Sequence, residues 1–251
     1  MALSIAYLAV IAALASALIA LGAYRRRSAM TRALPFVLLG ASGAAAVMAG
    51  GWALLDGLKL AEQLPLGLPW MHWHLRLDAL SGFFFAVVGL LLVAVSFYGP
   101  AYVREFEGSK QPLSVLGLFT GLFAAGMLLV LLADDAFVFM VAWELMSVSS
   151  YFLVTYQHQN APNRRAGFLY LLMAHVGALA ILLAFGVLAS FGANFTFDAM
   201  RAATLAPSWA SIAFALAFFG FGMKAGLVPV HAWLPEAHPV APSHISALMS
   251  G

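Results

Sequence analysis

Polar residues interrupt this chain at long intervals and leave seven apolar stretches, near 3–23, 33–55, 79–103, 113–133, 136–156, 166–190 and 209–230. A bilayer core takes about 20 helical residues to cross, so each stretch predicts one spanning helix. Helices are the expected element because hydrocarbon leaves backbone amides no partner except one another. The first stretch is not a cleaved secretory leader: it has no basic start, its apolar run is too long, and Arg25, Arg26 and Arg27 follow it.

Composition agrees with the pattern. Hydrophobic residues make up 64% of the chain and charged residues 9%, far from the proportions of soluble domains, so the expected fold is an all-α polytopic membrane protein embedded in the lipid bilayer. The net charge of +2 and the lack of a charged tail give no sign of nucleic-acid binding. With no cysteine, this chain holds no disulfide and no thiolate-ligated iron–sulfur cluster. No cofactor is expected, and any redox centre belongs to a partner.

The distribution of basic residues orients the bundle. If the helices alternate, Arg25, Arg26, Arg27, Arg32, Arg104, Lys110, Arg164 and Arg165 fall on one side, against Lys59, Arg76 and Arg201 on the other. Short loops rich in Lys and Arg stay cytoplasmic, which predicts an inner-membrane protein with its N-terminus outside, in the periplasm. Trp52, Trp70, Trp73 and Trp209 then lie near outer helix ends, as suits amphipathic rings. The long outer loop 56–78 contains His72 and His74, too few ligands to define a metal site, and closes with Asp78 and Ser81 as a helix cap. Asp134 and Asp135 read as a tight turn in water.

Three ionisable residues fall deep within the spans: Glu144 in the fifth, His175 in the sixth and Lys224 in the seventh. A charge at mid-bilayer costs roughly 2.5–3.5 kcal/mol on insertion scales, so each is expected to face the bundle interior or a wet cavity; Glu144 and Lys224 share a similar depth, which does not specify contact between them. Ser147, Tyr151 and Thr155 follow Glu144 at i+3, i+7 and i+11, a polar stripe along one helix face that suits a file of water. His231 repeats that spacing seven residues after Lys224, on the same face if the helix continues. Gly222, Gly226 and Pro229 surround the lysine and predict a broken helix, which at this depth often marks an ion site. The bland alternative is a static ion pair that locks two helices, with glycines serving close packing.

Two segments carry a family likeness. WELMSVSSYFLV around Glu144 and GFGMKAGLVPVHAWLPEAHPVAPSHISALMSG around Lys224 resemble the proton-translocating antiporter-like subunits of respiratory complex I, membrane-bound hydrogenases and multisubunit cation/proton antiporters. The PEAHPVAPSHISALMSG ending is most similar to the subgroup of hydrogenase 4 component B and its formate hydrogenlyase counterpart. The resemblance implies that Glu144 and Lys224 are the mid-membrane glutamate and lysine of the ion path, that His175 relays between helices, and that the seventh helix breaks near 227–229. It also implies other membrane subunits and a peripheral redox arm as partners. Residues 1–112 would be the N-terminal helices and 113–251 the first of two inverted repeats, cut at the start of an eighth helix. The expected chain is therefore the first half of a longer subunit.

Overall fold

The computed structural model describes residues 1–23, 29–57, 59–107 and 112–250. Arg25, Arg26, Arg27, Lys110 and Gly251, used in the sequence-based reading, lie outside the described residues. Seven helices are long and apolar enough to cross a membrane: α1 (Ala2–Ala23), α2 (Ala29–Asp56), α3 (Ala79–Tyr102), α4 (Leu113–Leu132), α5 (Ala136–Val154), α6 (Ala161–Phe191) and, after the short α7 (Phe197–Ala202), α8 (Pro207–Ala225). Two short helices follow, α9 (Trp233–Val240) and α10 (Ser243–Ser250).

Small residues set the spacing between helices. Along α2 and α3, a Cβ on Gly43 would lie 2.6 Å from the Gly89 carbonyl oxygen, and one on Gly50 would lie 2.3 Å from that of Gly82, so the two backbones touch. Packing then runs α3–α2–α1–α4–α5–α6. From α6, contacts continue to α9, from α9 to α10, and from α10 back to α3, closing a ring; α8 packs on the flank of α6.

The long loop is ordered. Residues of β1 (Leu60–Leu68) and β2 (Met71–Leu77) pair as an antiparallel hairpin with an irregularity between Leu64 and Gly67. Asp78 then caps α3 in a full capping box: its carboxylate accepts the Ser81 amide at 2.9 Å while the Ser81 hydroxyl accepts the Asp78 amide at 2.9 Å. Burial alone would raise the Asp78 carboxyl, but the Ser81 bonds and Arg76 outweigh it and hold it below its ordinary 3.8.

The Asp134–Asp135 turn is a correction to the sequence reading. These residues are buried, at 8% and 1% exposure, because the hairpin folds over them. Asp135 caps α5 through the Val138 amide and accepts the His74 amide, each at 2.8 Å, with the His74 ring 3.2 Å away. Asp134 faces Arg76 at 3.2 Å, and burial raises its carboxyl above the ordinary value against that neighbour. The Asp134 amide donates to the His74 carbonyl and the Phe197 amide to the Asp134 carbonyl, so three distant segments are laced together over the start of α5.

The seventh span ends earlier than the apolar run. The helix stops at Ala225, Gly226 turns left-handed at φ +74°, and Leu227 donates to the Gly222 carbonyl at 2.9 Å. Together with Gly226 donating to Met223, this is a Schellman closure, which glycine favours because it has no Cβ to clash. Pro229 follows in a cis peptide bond, and helix resumes only at Trp233. The seventh span is therefore discontinuous, and His231 sits in the break instead of on a continued face.

Candidate functional site

Two pockets flank α5, and the three deep ionisable residues divide between them. The first lies at the centre of the ring. It is a cavity of about 280 Å³ walled by Phe84, Phe123, Met127, Trp143, Tyr170 and Trp233, with Lys224 reaching in from the end of α8. The Lys224 ammonium donates to the Tyr170 hydroxyl at 3.2 Å and sits over two aromatic faces, 5.6 Å from the Trp143 centroid and 5.5 Å from that of Tyr170. Ring quadrupoles attract cations by about 0.5–2 kcal/mol, more where water is excluded.

The backbone contributes a second source of stabilisation. Lys224 lies in the last turn of α8, the end of a helix that carries a partial negative charge. One of the carbonyls there, Met223, is capped by the Trp233 indole at 2.7 Å. The break thus gives the lysine a negative helix end in place of a carboxylate.

Glu144 turns the other way. Its carboxylate lies 3.4 Å from His175 Nε2, and among the described residues no ion pair joins it to Lys224. Similar depth left contact between Glu144 and Lys224 open; the geometry pairs Glu144 with His175, because adjacent helical positions point about 100° apart: Trp143 faces the lysine and Glu144 faces away. Glu144 and His175 line an open pocket of about 470 Å³ with Phe137, Met140, Val141 and Leu182, and their side chains are 38% and 47% exposed. His175 Nδ1 lies 2.9 Å from the Leu171 carbonyl, which can only accept, so Nδ1 carries a proton.

The residues of the polar stripe on α5 differ in their settings. Ser147 is buried at 1% exposure with no hydrogen-bond partner for its hydroxyl, and the Thr155 hydroxyl folds back on the Tyr151 carbonyl at 2.8 Å. Tyr151 and Thr155 pack against Gly167 of α6. His231 Nδ1 is buried without a partner in the break. His74 is committed to Asp135, and among the described residues no three His, Asp or Glu side chains gather to hold a metal.

Tyr170 and Ser150 were missed by the sequence reading. Tyr170, 2% exposed, joins the lysine to the Ser150 hydroxyl at 2.5 Å, and Ser150 in turn reaches the Met146 and Ser147 carbonyls at 2.8 and 2.9 Å. Neutral hydroxyls in apolar helices carry no charge signal, and only their convergence from α5 and α6 reveals them. Trp143 Nε1 is also buried without a partner.

Residues 133–251, which include both pockets' ionisable groups, match the family described as NADH:quinone oxidoreductase/Mrp antiporter, TM. The chain is 43% identical over 195 residues, 78% of its length, to hydrogenase-4 component B of Escherichia coli. The chain thus carries, in residues 133–251, a module of the antiporter-like membrane-subunit superfamily. Within that superfamily the chain is also 30% identical, over 98% of its length, to the Staphylococcus aureus protein named as antiporter subunit mnhA2. Its fold matches chains in the Mrp complex from a Dietzia species (TM-score 0.78, 24% identity, 99% of this chain and 45% of that one) and in respiratory complex I from Thermus thermophilus (TM-score 0.72, 25% identity, 96% and 49%). The chain spans 29% and 31% of the lengths of the two curated relatives. These likenesses and the seven spans make it a multi-pass membrane protein.

Proposed function

We propose that the chain is the N-terminal part of a proton-translocating membrane subunit of a membrane-bound hydrogenase or complex I-like oxidoreductase. Lys224 and the Glu144–His175 pair would be its proton-holding groups. The observation that carries this reading is the lysine's setting: an ammonium at a helix break, held by hydroxyl, aromatic faces and helix end, with no carboxylate among the described residues locking it. An ammonium without a fixed counter-ion is easier to neutralise, since one opposite charge at 4 Å is worth about 4 kcal/mol at an effective dielectric of about 20. Such a group can load and release a proton as its surroundings change.

In this reading the redox reaction takes place in partner subunits, and neighbouring membrane subunits cover the pocket of Glu144 and His175. The protein sits in the inner membrane with the hairpin end outside. Likeness to hydrogenase-4 component B favours the hydrogenase class. Likeness to the antiporter subunit over nearly the whole chain supports a second reading, sodium/proton exchange without a redox partner.

Inverted vesicles containing the whole subunit in its complex separate these readings. Proton uptake driven by electron transfer, abolished by Lys224→Ala while the complex stays assembled, is the expected result. Uptake that requires a sodium gradient supports the antiporter. Unchanged coupling after Glu144→Leu together with Lys224→Met leaves only a scaffold.

A further inference from the structure

We infer that Tyr170 is a positioning residue for Lys224, a hydroxyl partner that serves the lysine in both of its charge states. This assignment rests on the translocation reading above and adds to it a residue that neither the motif pattern nor the charge pattern singled out.

The hydrogen-bond directions carry the argument. An ammonium has no lone pair, so Lys224 must donate to Tyr170 Oη at 3.2 Å. Backbone carbonyls can only accept, so the Ser150 hydroxyl spends its proton on Met146 or Ser147, and the 2.5 Å contact is then filled by the Tyr170 proton. Every donor in the series points away from the lysine. The series ends on a carbonyl, which passes no proton onward, so it is not a through-going wire.

It is a reversible contact instead. When Lys224 gives one proton to water, the N–H electron pair stays on Nζ as a lone pair. The Tyr170 O–H can then turn from Ser150 to that lone pair, and the Ser150 O–H can turn from the helix carbonyl to Tyr170 Oη. No bond to the protein needs to be made elsewhere, and the amine stays aimed at the same point. A carboxylate in this place would favour only the ammonium.

Other titratable groups are set apart from this contact. Of the residues lining the central cavity, only Lys224 and Tyr170 titrate. From α5 and α6, Glu144 and His175 face the other pocket. His231 lies in the break, Glu236 and His238 on α9, where His238 meets Ser246, and His244 on α10 lies between Phe36 and Tyr102.

The test is the pH profile of proton uptake by the whole complex in vesicles. Tyr170→Phe keeps the ring against Trp233 and removes the hydroxyl that accepts from the ammonium. The lysine-dependent limb is expected to move toward acid by about one pH unit, the excess of a hydrogen bond to the ammonium over one to the neutral amine. Ser150→Ala frees the Tyr170 proton for the amine, and should move the limb the same way by less. An unmoved profile in assembled Tyr170→Phe complex overturns the assignment. Should that variant fail to assemble, an unmoved Ser150→Ala profile overturns it. Normal uptake by Lys224→Ala would instead sink the translocation reading itself, which keeps the two failures distinct.

Discussion

Replacing Asp135 by alanine tests how far the hairpin, and not the apolar packing alone, fixes the start of α5. The carboxylate makes two amide bonds at 2.8 Å, to Val138 within its own helix and to His74 on β2, and is 1% exposed. Loss of a helix cap costs about 1 kcal/mol. Loss of a bond to a charged acceptor costs about 1.5–3 kcal/mol, with the amide left unpaired. The two share one side chain and do not simply add, so about 3 kcal/mol is expected. That corresponds to roughly 100-fold faster opening. Hydrogen exchange of the full subunit in nanodiscs reads this at the amides of His74, Leu75 and Val138. Asp135→Asn, which keeps an oxygen for the cap, should fall in between. If exchange at these amides rises less than about threefold in Asp135→Ala, the hairpin is not anchored here and the reasoning fails.

Further outcomes follow from the same geometry. Gly220→Ala should cost about 1–3 kcal/mol, because its Cβ would lie 2.6 Å from the Gly177 carbonyl oxygen and from Ile181 Cγ1; thermal denaturation checks this against Gly51→Ala, whose Cβ meets nothing within 4 Å. The lowered Asp78 carboxyl contributes stability that is present above its ordinary 3.8 and is lost as pH falls through its folded value. Acid titration of unfolding should therefore show a loss in that range that is smaller in Asp78→Asn. Trp233→Phe should leave the Met223 carbonyl with only the longer bond from the Gly226 amide, and a melting temperature lowered by a few degrees with the complex still assembled would show it.

The seven spans were legible because length and apolarity decide them, and the break was legible because Gly226 and Pro229 both work against a continued helix. The α3 cap could be read from Asp78 and Ser81 alone. What escaped was contact between distant segments. Asp134 and Asp135 look like a solvated turn until His74, Arg76 and Phe197 are known to fold over them. Depth alone also did not specify contact: Trp143 and Glu144 are neighbours in sequence, yet one faces Lys224 and the other His175. Helical rotation, which depth does not specify, separates the two pockets.

Proton transfer at Lys224 requires that water reach it. These 251 residues contain no cysteine, so Lys224→Cys places one unique thiol in the segment. The measurement is its labelling rate with a small, membrane-impermeant cationic thiol reagent, applied separately from each face of vesicles containing the complex. Ala213→Cys, buried at 4% exposure in the same helix, serves as the reference. Labelling at 224 is expected to be well above that at 213, from at least one face. Equal, negligible labelling at both would mean that the lysine is sealed, and would contradict proton transfer there.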